Sequence, residues 1–237
     1  MNTQQKVVLI TGASQGIGAG IVRAYRDSGY AVVANSRGIR AGADAGVIAV
    51  PGDISERAVA RRVVDTALER FGRIDTLVNN AGIFISKPFT EYTQEDFDSA
   101  LGVNLGGFFH ITQLALAPML SRNHGHIVQI TTTLVEQPLS DVPAGLASLT
   151  KGGLAAATRG LAIEYAGRGI RVNAVAPGII KTPMHAAATH DFLDKLHPIG
   201  RMGEIPDIVD AVLYLERAGF VTGETINVDG GQHAGRW

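Results

Sequence analysis

The stretch Thr11-Gly12-Ala13-Ser14-Gln15-Gly16-Ile17-Gly18 decides the fold of this chain of 237 residues. It stands between a strand-like block, Val7-Val8-Leu9-Ile10, and an amphipathic helical pattern. In such a turn Gly12 permits a sharp bend, Gly16 lets the backbone approach a pyrophosphate, and Gly18 allows close contact between helix and strand. The free N–H groups that open the helix then face the phosphates. The pattern predicts a dinucleotide site that includes Gly12, Ser14, Gln15, Gly16, Ile17 and Gly18.

Strand-like and helical patterns alternate along the rest of the chain. The strand candidates are residues 6–11, 31–35, 47–50, 74–79, 125–131, 169–175 and 226–228. The helical patterns lie near residues 16–28, 55–71, 93–121, 144–166 and 204–217. This order predicts one α/β domain over residues 1–237, a doubly wound parallel sheet with right-handed crossovers. The short connection 36–46 is rich in Gly and Ala and predicts a loop in place of a crossover helix.

Composition limits the classes of function. Hydrophobic residues make up 46% of the chain and charged residues 18%, which favours a large buried core over disorder. A net charge of −1 gives no indication of a nucleic-acid or acidic-membrane partner. The chain has no cysteine, so disulfides and thiolate catalysis are excluded. The polar residues 1–6 run directly into the first strand without an apolar leader, and we expect a cytoplasmic protein.

Residues 99–121 contain no Asp, Glu, Lys or Arg, a composition that also occurs in membrane spans. The segment nevertheless holds Asn104, His110, Pro118 and three glycines. We therefore expect a buried helix packed on the sheet.

The end of the second strand distinguishes NADP(H) from NAD(H). An acidic residue there binds the ribose 2′-OH of NAD and repels a 2′-phosphate. Here the sequence is Ala34-Asn35-Ser36-Arg37, and no acid lies between Asp27 and Asp44. Ser36 and Arg37, with Arg40 as a second arginine, are suited to a 2′-phosphate, and NADP(H) is favoured over NAD(H).

Further motifs follow the glycine turn along the chain: Gly52-Asp53-Ile54, Asn79-Asn80-Ala81-Gly82, Asn104, Pro177-Gly178-Ile179-Ile180-Lys181-Thr182, Thr222-Gly223 and Val228-Asp229-Gly230-Gly231. With these motifs in this order, the chain resembles the short-chain dehydrogenases/reductases along essentially its whole length. The resemblance implies a Rossmann fold, with Asn104 in a proton relay. It also implies cofactor contacts from Asp53, Ile54, Asn80, Ala81, Gly82, Lys151, Pro177, Gly178, Ile180 and Thr182.

The resemblance further implies a small-molecule substrate, a carbonyl compound or an alcohol, under a lid near residues 183–204. The lid sequence mixes apolar residues with three histidines. No metal is implied. The helix at 144–166 is rich in Ala and Gly, and in this family such a helix forms a two-fold interface. We therefore expect a homotetramer or homodimer.

The catalytic pattern departs from the family at two positions, the tyrosine and the serine. The family uses Ser, Tyr and Lys, with the last two spaced Tyr-x-x-x-Lys on one helical face. Lys151 fits the lysine, but Ala147 stands four residues before it. The five tyrosines lie at positions 25, 30, 92, 165 and 214, so none falls between the fifth strand and Lys151. Thr132 or Thr133 takes the place of the serine, on a segment about two residues longer than the family pattern.

Three interpretations follow from the missing tyrosine. The chain is an oxidoreductase with another acid, or a nucleotide-binding protein without redox activity, or an enzyme of the lyase or hydratase type. For the first, the candidate acids are Lys151 itself, a water held by Asn104 and Lys151, Glu136, Asp141, His185, His190 and His197. The intact cofactor motifs favour the oxidoreductase. Its predicted catalytic residues are Lys151, Asn104, Thr132 and Thr133.

Overall fold

Seven short strands form the centre of the protein, whose computed structural model describes residues 5–42 and 44–235. In chain order they are β1 Val7–Thr11, β2 Ala31–Ser36, β3 Val47–Pro51, β4 Thr76–Asn79, β5 Gly125–Ile130, β6 Ile170–Pro177 and β7 Thr225–Val228. Most residues of β1, β2, β4, β5 and β6 are buried, as expected for parallel strands covered on both faces.

The strands form one parallel sheet in the order β3-β2-β1-β4-β5-β6-β7. The order reverses between β1 and β4, which confirms the predicted doubly wound α/β fold. At such a switch point the carboxyl ends of the strands open a crevice in which ligands bind. Between β2 and β3, residues 37–42 and 44–46 contain no helix, in agreement with the predicted loop.

Helices cover both faces of the sheet. They are α1 Gly16–Asp27, α2 Arg57–Phe71, α3 Gln94–Ala100, α4 Phe108–Arg122, α5 Gly145–Tyr165, α6 His190–Asp194 and α7 Ile205–Arg217. One core packs Ile21 of α1 and Val212 of α7 on the sheet. The other packs Val63 of α2, Ile111 of α4 and Ala162 of α5 on the opposite face. Burial of these two apolar layers is the main source of stability.

The predicted single helix at 93–121 is three segments in the structure. A capping box of Thr93 and Asp96 starts α3. A π-helical segment, Leu101–Gly107, then joins α3 to α4. Helical periodicity does not reveal such a widened turn, since the apolar stripe continues through it. Widened turns of this kind are common at functional sites, and this one contains Asn104.

The same region, Gln94–Arg122, is long and apolar enough to cross a membrane by length and composition alone. In the structure, Ile111, Ala115 and Met119 are fully buried in the core that α4 shares with α2 and the sheet. The apolar face of α4 is therefore buried in the protein core, as predicted for this segment.

Candidate active site

The glycine turn between β1 and α1 has the shape of a phosphate cradle. Gly12 and Gly16 adopt positive φ angles of 66° and 55°. A Cβ atom on Gly18 would collide with the carbonyl oxygen of Gly12. The side chain of Asn80 fixes the turn, because its Nδ2 donates to the carbonyl oxygens of Thr11 at 2.9 Å and Gly12 at 3.1 Å. The cradle is therefore rigid before any ligand arrives.

A cavity of about 880 Å³ lies over this turn, at the carboxyl ends of the strands. All predicted cofactor residues line it: Gly12, Ser14, Gln15, Gly16, Ile17, Gly18, Ser36, Arg37, Asp53, Ile54, Asn80, Ala81, Gly82, Lys151, Pro177, Gly178, Ile180 and Thr182. Arg40, the second arginine considered for a 2′-phosphate, is not among the lining residues. The fold thus brings together residues from six separate segments of the chain around one cavity.

The β2 end of the cavity offers polar atoms without partners. The Ser36 Oγ atom is buried and accepts or donates no hydrogen bond, and Arg37 follows it on the wall. Asp53 accepts hydrogen bonds from the Ser55 backbone at 2.9 Å and hydroxyl at 2.8 Å through Oδ1 only. Its Oδ2 atom takes part in neither bond. These residues fit the adenosine half of a dinucleotide, with a positive charge where a 2′-phosphate would lie.

Lys151 lies at the other end of the cavity, on α5. Its side chain is buried, and Nζ donates to the carbonyl oxygen of Ile130 at 2.8 Å. Burial lowers the pKa of Lys151 to about 8, because a charged ammonium group is poorly solvated there. Ala147 lies one helical turn earlier, also buried and on the cavity wall. Its methyl group leaves open the space that a larger side chain would fill.

Asn104 lies behind the wall and does not line the cavity. Its Oδ1 accepts from the Ile83 N–H at 2.9 Å, and its Nδ2 donates to the Ile83 carbonyl at 3.1 Å and to the Thr150 hydroxyl at 3.0 Å. A Cβ on Gly82 would approach Lys151 Nζ to 2.7 Å and Asn104 Oδ1 to 3.2 Å. Asn104 therefore positions the loop that passes beside Lys151.

The structure distinguishes the two candidate threonines. The Thr133 hydroxyl donates to Asp229 Oδ2 at 2.6 Å and is fully buried. The Thr132 hydroxyl oxygen accepts from the Leu134 N–H at 3.3 Å, which leaves its proton available. Both residues line the cavity, but Thr132 is the one with a donor to offer to a substrate oxygen.

The other candidate acids fall into two groups. Asp141 and His185 line the cavity, whereas Glu136, His190 and His197 do not. Glu136 is exposed and accepts from the side chain of Asn227 at 3.1 Å.

His197 is engaged through both ring nitrogens. Nε2 accepts from the Ile179 N–H at 3.0 Å and Nδ1 donates to the Leu193 carbonyl at 3.1 Å. Burial also lowers its pKa, which favours the neutral ring that this pattern requires. His197 thus ties the predicted lid to the segment after β6. Within residues 5–42 and 44–235, no group of three or more His, Asp or Glu side chains is placed to hold a metal ion.

An apolar part of the cavity wall was not predicted from the sequence. Leu134 and Ala147 belong to a small cluster against which Phe84 and Val142 pack, and all four line the cavity. Gln232, directly after the Gly230-Gly231 turn, also lines it. Ala147, on α5, was identified by its spacing from Lys151. The others lie on loops or 3-10 turns without helical or strand periodicity, so only their position after a strand end could have suggested a site.

Comparison with known proteins agrees with the geometry. The sequence matches the family described as enoyl-(acyl carrier protein) reductase over residues 12–233. It is 36% identical over 246 residues to (2S)-[(R)-hydroxy(phenyl)methyl]succinyl-CoA dehydrogenase subunit BbsD of Thauera aromatica, with 98% of each chain covered.

Solved structures are equally similar. ElxO with NADP bound superimposes with a TM-score of 0.89 at 30% identity, over 98% of this chain and 100% of that one. The 3-ketoacyl-(acyl-carrier-protein) reductase of Brucella melitensis, complexed with NADH, gives a TM-score of 0.89 at 32% identity, over 96% and 98%. The chain belongs to the short-chain dehydrogenase/reductase family of oxidoreductases.

Proposed function

We propose that this protein is an NAD(P)(H)-dependent oxidoreductase of the carbonyl reductase or alcohol dehydrogenase type, with Lys151 as a proton donor in place of tyrosine. One observation carries the proposal: a single cavity joins the glycine cradle to the buried Lys151 ammonium, with only Ala147 where the family has a phenol. Relatives named as dehydrogenases and reductases, and solved neighbours that carry NADP or NADH, support a nicotinamide cofactor.

NADP(H) is the proposed preference. Arg37 lies on the wall directly after the unpartnered Ser36 hydroxyl, and none of the described residues between Asp27 and Asp44 is acidic. A guanidinium and a hydroxyl supply the donors that a 2′-phosphate needs, whereas the described residues of the loop directly after β2 offer no carboxylate to the ribose 2′-OH of NAD.

The residues divide the chemistry of reduction between them. A nicotinamide dinucleotide held by the residues of the cavity would supply the hydride for addition to the carbonyl carbon. Thr132 donates a hydrogen bond to the carbonyl oxygen and stabilises the negative charge that develops as the C=O π bond breaks. Lys151 then gives a proton to that oxygen, directly or through a water in the space beside Ala147. Asn104 holds the adjoining loop. In alcohol oxidation each transfer runs in reverse.

Lys151 is preferred over the other acids on the wall for a geometric reason. It is one helical turn from Ala147, and its buried side chain lines the cavity, so its proton can be given to a substrate oxygen in the space beside Ala147. Asp141 is exposed, on the loop before α5. His185 lies on the lid, where burial and the nearby His190 lower its pKa and favour the neutral ring.

The test compares the wild type with Lys151→Arg. For each protein, the oxidation of NADPH by a panel of ketones and aldehydes is followed by absorbance. Arginine keeps the positive charge but does not release its proton near neutral pH. We expect turnover to fall about 10²- to 10⁴-fold. We expect NADPH affinity, measured by calorimetry, to change little.

Two second substitutions at Ala147 separate the effect of a proton donor from the effect of filling the space beside Lys151. Ala147→Tyr in the Lys151→Arg background places a phenol beside a cation and should restore turnover. Ala147→Phe fills the same volume without a proton and should not. Full activity in Lys151→Arg would instead assign the proton to His185 or Asp141. NADPH binding without turnover of any carbonyl would favour a non-redox nucleotide-binding protein or a lyase-type enzyme.

Assembly into a homodimer or homotetramer is proposed from the outer faces of α4 and α5. Phe109, Leu149 and Ile163 are 54%, 56% and 84% exposed there. Apolar side chains concentrated on two neighbouring helices favour a self-complementary, two-fold contact. Sedimentation of the wild type should show a dimer or tetramer, and Ile163→Glu should shift it toward monomer. A monomeric wild type would exclude this interface.

A further inference from the structure

Gln232 is a buried amide without a hydrogen-bond partner. It begins the short 3-10 turn Gln232–Ala234 after β7, and its side chain is fully inaccessible to solvent. Neither Oε1 nor Nε2 has a partner in the described structure. Burying an amide without hydrogen bonds costs about 1–3 kcal/mol for each unsatisfied group. Buried unsatisfied side-chain amides are therefore rare in folded proteins, and each one calls for an explanation. Gln232 also lines the cavity, so a small turn of its side chain toward a bound ligand would give the amide a hydrogen-bond partner.

Asp229 holds this turn in place beside the catalytic threonine. Its carboxylate accepts from the Thr133 hydroxyl at 2.6 Å, from the Gly231 N–H at 3.0 Å and from the His233 N–H at 2.9 Å. One acid therefore joins the residues on both sides of Gln232 to the residue after Thr132. This arrangement fixes the turn that carries Gln232 relative to Thr133, and so relative to the neighbouring Thr132, before a substrate binds.

The charges on the wall limit the ligand that would reach Gln232. The cationic side chains that line the cavity are Arg37, on the β2 half of the sheet, and Lys151. On the wall formed by the segments after β5 and β6, the formally charged side chains among the described residues are Lys151 and the acid Asp141. None of the described residues on that part of the wall is an arginine that could pair with a carboxylate or phosphate on the substrate, and Asp141 would repel such a group.

The rest of this half of the cavity is apolar. The lining side chains from the loops and the lid are Phe84, Leu134, Val142, Met184, Phe192 and Leu193. Such a surface binds a hydrocarbon body, and a small number of polar groups then orients it.

We propose that Gln232 is a specificity-determining residue that binds a second, uncharged oxygen group, a hydroxyl or carbonyl, on a largely apolar carbonyl substrate. This inference rests on the oxidoreductase function proposed above. With Thr132 on the reacting oxygen and Gln232 on the second one, the substrate is held at two points and presents one face to the nicotinamide. A substrate without the second oxygen leaves the amide buried and unpaired.

Calorimetry in the presence of NADP⁺ tests binding without requiring hydride transfer. The probes are cyclohexanone and acetophenone, each with its ring-hydroxylated and its carboxylated derivative. We expect the wild type to bind the hydroxylated ketone about 5- to 100-fold more tightly than the parent. In Gln232→Leu this ratio should fall to near one while NADP⁺ affinity is unchanged. Gln137→Leu, the same change at a residue off the cavity wall, should retain the wild-type ratio.

The possible outcomes separate the two proposals. A preserved ratio in Gln232→Leu, tighter binding of the carboxylated derivatives, or no binding of any neutral ketone overturns the role of Gln232. Selective binding that Gln232→Leu abolishes, but without NADPH oxidation, supports Gln232 and contradicts the oxidoreductase.

Discussion

Arg37 is the residue whose charge bears most directly on the choice of cofactor. It lies on the cavity wall, whereas Arg40, three residues later, is exposed and off that wall. We predict that Arg37→Asp changes the ratio of NADPH to NADH affinity by about 30-fold or more toward NADH, since it replaces a charge-assisted pair with a repulsion.

Arg40→Asp supplies the control for this prediction. It makes the same change in net charge and should leave the ratio within about threefold of the wild type, because exposed charges away from the site are screened. Titration of both nucleotides by calorimetry measures the ratio. Equal effects of the two substitutions would show that bulk electrostatics, and not a site at Arg37, sets the preference.

Lys151 predicts a pH dependence whose direction depends on the reaction. Burial lowers the pKa of Lys151 to about 8, so the ammonium form predominates below that pH and the neutral amine above it. Reduction needs the proton, and its kcat should be constant below pH 8 and fall above it. Alcohol oxidation needs the neutral amine and should rise through the same range. Parallel profiles for the two directions would exclude Lys151 as the proton donor.

At the scale of elements, the contact between α1 and α7 depends on Gly20. A Cβ on Gly20 would collide with the Ile205 side chain, so the two helices approach each other through a position without a side chain. We predict that Gly20→Ala lowers the free energy of unfolding by about 1–3 kcal/mol, because overpacking must push α7 away from α1. Chemical denaturation measures the change.

Gly160, on the exposed face of α5, is the matched control. A Cβ there meets nothing within 4 Å, and the backbone is helical. Gly160→Ala should stabilise the protein by about 0.5–1 kcal/mol through helix propensity alone. If neither substitution changed the free energy of unfolding, α1 and α7 would not be in the close contact at Gly20 described here.

At the scale of the whole molecule, Glu216 joins several elements at the end of the sheet opposite the cavity. Its carboxylate accepts hydrogen bonds from Tyr25 of α1 at 3.1 Å, Tyr30 at 2.9 Å, Thr76 of β4 at 3.1 Å and His126 of β5 at 2.8 Å. Burial raises the pKa of Glu216, but the hydrogen bonds from His126, Tyr30 and Thr76 outweigh it and lower the value to about 2. Glu216 therefore stays ionised, and neutral His126 donates to it.

This network predicts a loss of stability in acid. An ionised Glu216 contributes its full stabilisation above the ordinary pKa of 4.5, and the contribution is lost as the pH falls toward 2. Glu216→Gln should lower the free energy of unfolding by about 2–4 kcal/mol at neutral pH and flatten its pH dependence below 4.5. The exposed Glu69→Gln should do neither, and an unchanged acid profile in Glu216→Gln would exclude the network as its source.

Local patterns in the sequence were sufficient for the framework of this protein. The alternation of apolar runs and amphipathic segments predicted the seven strands, the helices α1, α2, α5 and α7 and the loop after β2, because each depends on residues close together in the chain. It predicted a single helix where α3, the π-helical segment and α4 lie, and it did not predict α6. The glycine turn was predictable for the same reason, since positive φ angles and close approach require glycine at Gly12, Gly16 and Gly18. The spacing of Ala147 and Lys151 on one helix was equally local.

Only the tertiary structure decided which of these groups are free to act. It directed the Thr133 hydroxyl to Asp229, placed Asn104 behind the cavity wall in a π-helical segment, and joined the turn that carries Gln232 to Thr133 through Asp229. Each of these contacts joins residues that are far apart in sequence. A local sequence pattern does not indicate which distant residues meet in space. The sequence determined what the site contains, and the packing of the strand ends decided which atoms face the substrate.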